Sequence, residues 1–163
     1  MNAYTFTAVP SRKSQAFAAI FAAGLAAGLC DITAAFVTWA PRGIMPARIL
    51  KGIASALIGS DAFMGGALTA ALGLALHFLI AFSAAAVFYA ASHNLNFMTR
   101  HPIVAGVLYG IVVYFVMYWI VLPLSRFHPG HTLRSSIIAV VTHIICVGLP
   151  ISLVISRYAR SLR

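Results

Sequence analysis

Four segments of this chain are each long and apolar enough to cross a membrane as a helix. They cover residues 16–39, 66–91, 103–124 and 135–156. A helix rises about 1.5 Å per residue, so about 20 apolar residues cross the hydrocarbon core of a bilayer. Cations or prolines flank the segments. The pattern predicts an all-α integral membrane protein, a four-transmembrane-helix bundle that forms a single membrane domain over residues 1–163.

The composition excludes an ordinary soluble domain and most enzymes. Hydrophobic residues make up 62% of the chain and charged residues 8%, whereas soluble domains have about 45–50% and about 25%. Asp31 and Asp61 are the two acids of the whole chain, which excludes most chemistry that uses two carboxylates. No GxSxG, HExxH, Walker or GxGxxG pattern is present. We therefore expect a protein that is not an enzyme.

The segment between the first two spans has the pattern of an amphipathic helix. Between Pro46 and Gly59, apolar residues recur at helical spacing while Arg48 and Lys51 fall elsewhere. Proline suits the first position of a helix. This pattern predicts an interfacial helix that lies flat on the membrane. The alternative is a hydrophobic loop packed on the bundle.

Basic residues outnumber acidic residues, and the net charge is +9. No basic face is interleaved with aromatic residues as in a nucleic-acid-binding module, so we expect no nucleic-acid partner. Anionic lipid headgroups are the simpler partner, and the expected headgroup ligands are Arg48, Lys51, Arg157 and Arg160. Four spans place both termini on one side. That side carries six cations against five on the other, and the positive-inside rule then weakly favours cytoplasmic termini.

Small residues are spaced for close helix packing. Gly24 and Gly28 form one GxxxG pattern, Gly106 and Gly110 form another, and Gly73 lies on one face of the second span with Thr69 and His77. In lipid the hydrophobic effect does not drive helices together, so small residues that let backbones approach are the usual interface. These positions predict helix packing.

One ionisable or polar side chain from each span falls at a similar depth. Counted from the side of the amphipathic segment, Asp31, His77, Tyr114 and His143 lie about 12, 16, 15 and 12 Å deep. A structural hydrogen-bond network is the first interpretation of this layer. A proton or solute pathway is the second, because intramembrane Asp and His residues commonly relay protons. Ligation of a b-type haem or a metal by the histidines is the third.

Several stretches resemble a group of small four-span inner-membrane proteins of proteobacteria that have no assigned activity. The resemblance lies in the run 49–73, in His77-Phe78, in Gly106 to Gly110 and in VLPLS at 121–125. It covers roughly half the chain. The resemblance implies the four-span fold and a location in the bacterial inner membrane, and it transfers no functional residues.

These observations favour a non-enzymatic inner-membrane protein that acts as an accessory or assembly subunit of a larger membrane complex, through contacts with other membrane subunits or with itself. The alternative is a small proton or solute carrier, and the third hypothesis is a haem- or metal-binding electron-transfer subunit. Because small residues around His77 and His143 predict tight packing, we expect no cofactor and no bound metal. An accessory subunit needs small residues facing outward, whereas a carrier needs an inward cavity.

Overall fold

The chain is all-helical, without strands, in the residues that the computed structural model describes, which are 11–126, 130 and 132–160. Four long helices dominate the fold: α1 (Arg12–Trp39), α3 (Ala67–Asn94), α5 (Pro102–Leu124) and α6 (Leu133–Arg160). Each is long and apolar enough to cross a membrane. Less than a third of the most apolar window of each helix is buried inside the protein. Most of the apolar surface therefore faces outward.

Two short helices complete the fold, α2 (Pro46–Ile58) and α4 (Asn96–Arg100). The helix predicted between the first two spans is thus observed as α2, and the alternative of a loop is not. α2 begins with Pro46, whose fixed φ suits the first helical turn. It ends at Gly59, which has a φ of 74°, a value that favours glycine.

The outer ends of α1 and α6 extend beyond the apolar segments seen in the sequence. α1 begins four residues earlier than expected because Ser11 caps it, accepting a hydrogen bond from the Ser14 backbone N–H at 3.3 Å. At the other end of the chain, α6 continues to Arg160. Its start is held by a capping box in which Thr132 and Ser135 exchange side-chain and backbone hydrogen bonds.

The glycines bring neighbouring helices together inside the bundle. A Cβ on Gly24 or Gly28 of α1 would collide with the rings of Phe82 or Phe78 on α3. On the other side of the bundle, α5 and α6 approach through Gly106, Gly110 and Gly148, where a Cβ on one glycine would meet the backbone of the facing helix. α1 also packs along α6. The helices are thus ordered α3, α1, α6, α5.

α2 packs against α3 at Gly73. A Cβ on Gly73 would strike the Leu50 carbonyl and lie 3.2 Å from the backbone nitrogen of Ala54. Ala54 and Ser55 are buried on this side of α2, whereas Leu57 and Ile58 at its end are exposed. α2 is therefore part of the bundle as well as a link between α1 and α3.

α3 and α5 meet through side chains at the end of the bundle far from α2. The Phe88 and Tyr109 rings lie edge to face at 5.0 Å between centroids. The Tyr109 hydroxyl donates to the Ala84 carbonyl at 2.7 Å. The backbones of these two helices approach less closely than those of the other neighbours. This spacing leaves room between them at the α2 end.

Short π-helical turns interrupt α5 and α6 shortly before a proline. They span Met117–Val121, before Pro123, and His143–Gly148, before Pro150. Proline has no N–H and its ring crowds the preceding turn, so the helix must widen or kink there. π-turns of this kind are frequent at functional sites. Here one begins at His143.

Candidate functional site

A cavity of about 270 Å³ lies in the centre of the bundle at the α2 end. Its walls are mostly apolar, and residues from all four long helices and from α2 line it. Asp31, His77 and His143 are the ionisable side chains in its lining. The apolar lining residues are Ala27, Ile32, Ala35, Ile49, Ile53, Ile80, Ala81, Ala84, Val113, Met117 and Val147. We call this space the inner cavity.

Helix packing places the two histidines in the inner cavity. His77 follows Gly73 by one turn on α3, and its Nε2 lies 2.9 Å from the Gly28 carbonyl of α1. His143 lies at the start of the π-turn of α6, and its Nδ1 is 2.8 Å from the Ala139 carbonyl. A carbonyl only accepts hydrogen bonds, so these two nitrogens carry the hydrogens. The other ring nitrogens, Nδ1 of His77 and Nε2 of His143, can then accept a proton.

Asp31 lies on α1 one turn beyond Gly28, and it is half-buried. Among the described residues, no group donates a hydrogen bond to its carboxylate and no cation forms an ion pair with it. The carboxylate oxygens of Asp31 are not fully buried. A carboxylate held in an apolar interior without a partner is costly. The side of Asp31 that the protein leaves open faces the cavity.

Tyr114, the fourth member of the expected layer, does not line the inner cavity. Its ring lies edge to face with His143 at 5.9 Å and stacks with Tyr118 at 5.9 Å. The Tyr114 ring therefore packs against the His143 ring outside the inner cavity. Within the described residues, no hydrogen bond joins any two of Asp31, His77, Tyr114 and His143. The structure thus brings three of the four to one cavity without linking them to one another.

A second cavity of about 290 Å³ continues from Asp31 toward the end of the bundle that holds α2. It lies between the last turns of α1 and the first turns of α6, and we call it the outer cavity. It shares Asp31, Ala35 and His143 with the inner cavity. Its other lining residues are Thr38, Trp39, Arg42, Thr132, Arg134, Ser135, Ile138, Ala139 and Thr142. Asp31 and His143 thus stand where the two cavities meet.

The four expected headgroup ligands lie toward the two ends of the bundle. Arg48 is exposed and its guanidinium lies 5.4 Å from the centroid of the Phe63 ring. Lys51 is half-buried. At the opposite end of the bundle, Arg157 and Arg160 are exposed, and Arg160 Nε donates to the Ser156 carbonyl at 3.3 Å. None of the four lines the inner or outer cavity.

Sequence reasoning missed three features near the site. Gly148 completes the α5–α6 contact, but it belongs to no GxxxG pattern. Cys30 and Cys146 lie on different helices, and their thiols are close enough to each other and to Asp31 to interact electrostatically. Arg134 faces a cavity, although the sequence marks it only as a cation flanking an apolar segment. No sequence signal reveals the rotation of a helix that sets these contacts.

The part of the chain that the structure describes contains no group of three or more His, Cys, Asp or Glu side chains positioned to hold a metal ion. No family model, curated protein or solved structure matches this chain. Its function must be inferred from the geometry of the two cavities.

Proposed function

We propose that this chain is a multi-pass membrane protein that carries protons, alone or together with a small solute, and that Asp31 is its central ionisable group. Four long apolar helices with outward-facing apolar surfaces support insertion in a membrane. The membrane we propose is the bacterial inner membrane, with α2 at one interface and both chain ends at the other, cytoplasmic side.

The unpaired carboxylate of Asp31 is the observation that carries this proposal. An ionised carboxylate at the centre of a membrane costs at least about 2.5 to 3.5 kcal/mol. A purely structural carboxylate would recover this cost from protein donors, and no described residue supplies one. Water, a proton or a substrate in the adjoining cavities can do so. Asp31 is thus placed to exchange protons with the contents of the cavities.

The two histidines extend the path from Asp31. Histidine is a common proton shuttle in proteins, so a ring nitrogen that faces a cavity can pass a proton on. His143 borders both cavities, whereas His77 lines only the inner one. A proton that arrives through the outer cavity would reach Asp31 and His143 first and His77 afterwards.

An accessory or assembly subunit, the role first expected from the sequence, receives less support. That role requires small residues that face outward to meet a partner. The five glycines expected to mediate packing, Gly24, Gly28, Gly73, Gly106 and Gly110, all meet helices of this same chain. The outward surface carries large apolar side chains such as Leu79 and Trp119, which lipid can cover, and Ala71 and Ala75 of α3 are small residues that do face outward.

Proton flux into vesicles tests the proposal. The protein would be reconstituted into liposomes that contain a pH-sensitive dye, and a potassium gradient with valinomycin would set the membrane potential. We expect Asp31→Asn to reduce the flux at least about tenfold, because a neutral amide cannot carry the proton. Asp61→Asn is the matched control, since it removes the only other acid, which is exposed in a turn after α2.

Two outcomes would contradict the proposal. Wild-type vesicles with no more flux than empty liposomes, both without solute and with a small organic anion added outside, would exclude proton movement, and co-purification of partner subunits would then decide for the accessory role. Equal flux in wild-type and Asp31→Asn vesicles would exclude Asp31 as the central group.

A further inference from the structure

The outer cavity has two cations at one end and one acid at the other. Arg42 and Arg134 line it near the ends of α1 and α6, and Asp31 lines its inner end. The Arg42 guanidinium is held 4.7 Å above the centroid of the Trp39 ring. Trp39 follows Asp31 by eight residues, so this charge lies about 12 Å from Asp31 along the helix axis.

The walls of the outer cavity offer hydroxyl groups between the charged ends. Thr132 and Ser135 are occupied by their mutual capping bonds. Thr38 and Thr142 also line the cavity, and within the described residues neither hydroxyl has a hydrogen-bond partner. Polar groups without partners in a cavity are suited to bind a polar ligand. The hydroxyls therefore favour an occupant with hydrogen-bonding groups of its own.

We propose that the outer cavity binds a small organic anion, whose acidic group is held by Arg42 and Arg134 and whose remaining polar groups meet Thr38 and Thr142. This inference rests on the proposed function, because it makes the anion the solute that moves with the proton. The volume of about 290 Å³ equals that of about ten water molecules. A short hydroxylated carboxylate fits both the volume and the chemistry of the walls.

The charges of Arg42, Arg134 and Asp31 couple binding of the anion to protonation of Asp31. Guanidinium groups bind carboxylates through paired, charge-assisted hydrogen bonds. An ionised Asp31 at about 12 Å repels the bound anion. With an effective dielectric constant of about 20 to 40, that repulsion weakens binding about three- to tenfold. Neutralising Asp31 removes the repulsion, so the anion and the proton favour each other's binding.

Calorimetric titration with malate tests this site. The full chain would be held in nanodiscs of phosphatidylcholine, a lipid without net charge. We expect Arg42→Gln and Arg134→Gln each to weaken malate binding at least about tenfold, because each removes a charged hydrogen-bond donor. Arg126→Gln is the matched control. Arg126 is an exposed cation at the same end of the bundle and lines neither cavity.

The Asp31→Asn variant supplies an independent readout with the opposite sign. We expect it to bind malate about three- to tenfold more tightly than the wild type, while Asp61→Asn binds as the wild type does. A residue that only stabilises the fold would not tighten binding when replaced. This variant also keeps the proposal testable if the arginine variants fold poorly.

Several results would overturn the anion site. These are no malate binding by the wild type, equal weakening by Arg126→Gln, or unchanged affinity in Asp31→Asn. Loss of malate binding in phosphatidylglycerol nanodiscs would show that a lipid headgroup occupies Arg42 and Arg134 instead. If the arginine variants bind malate normally while Asp31→Asn abolishes proton flux, the anion site is excluded and the proton carrier stands. Malate binding without any proton flux, even when malate is added outside the vesicles, would exclude the carrier function and leave the anion site in place.

Discussion

Replacing Gly73 by alanine should lower the free energy of unfolding, because the added methyl group pushes α2 away from α3. The added Cβ would strike the Leu50 carbonyl and crowd the Ala54 nitrogen, and backbone atoms cannot rotate away as side chains do. Overpacking of this kind costs up to about 3 kcal/mol. Alanine gains about 1 kcal/mol over glycine within a helix. Gly73→Ala should therefore lower the free energy of unfolding by up to about 2 kcal/mol.

Gly52→Ala is the matched control for this prediction. Gly52 lies within α2, and a Cβ there would meet nothing within 4 Å. The variant should therefore raise the free energy of unfolding by about 1 kcal/mol, so the two substitutions differ by up to about 3 kcal/mol. Thermal unfolding in detergent, followed by a dye that fluoresces on reaction with cysteine thiols, measures the difference, because Cys146 is buried in the fold. Equal melting temperatures, or a lower one for Gly52→Ala, would refute the close α2–α3 contact.

Two further predictions test helix contacts. Cys30 and Cys146 should cross-link when copper phenanthroline is added to membranes, because their thiols are close enough to interact between α1 and α6. Two free thiols by mass spectrometry after oxidation would contradict that proximity. Tyr109→Phe should lower the free energy of unfolding by about 1 kcal/mol, because it removes the hydrogen bond to the Ala84 carbonyl. Unfolding of the two proteins at the same denaturant concentration would show that this bond contributes nothing.

The long helices were predictable because length and hydropathy are local properties of a sequence. α2 was predictable for the same reason, since the spacing of its apolar residues and Pro46 both favour a helix. The precise helix ends were not, because Ser11 and the Thr132 capping box extend helices by hydrogen bonds outside the apolar runs.

The site was harder to predict because it depends on helix rotation and on the order of neighbours. Counting residues along the spans gives only the depth of a side chain in the membrane. By depth, Tyr114 belongs to one layer with Asp31, His77 and His143. In the structure, Tyr114 packs against His143 and does not line the inner cavity. Asp31 has no hydrogen-bond or ion-pair partner among the described residues. The outer cavity could not be expected either, since Arg42 and Arg134 are far apart in sequence and line one cavity only because α1 and α6 are neighbours.

The most direct test of this account is whether water reaches Asp31. A chain with Asp31→Cys as its single cysteine, in a background of Cys30→Ser and Cys146→Ser, would be treated in liposomes with a charged methanethiosulfonate that cannot cross the bilayer. Leu29→Cys in the same background is the control, because Leu29 is exposed on the apolar outer face of α1. The thiolate, which forms only where water can solvate it, attacks the reagent, and a mixed disulfide forms as the sulfinate leaves. We expect Asp31→Cys to react at least about tenfold faster, through the outer cavity. Equal rates for the two variants would contradict a wet path to Asp31 and the carrier function with it.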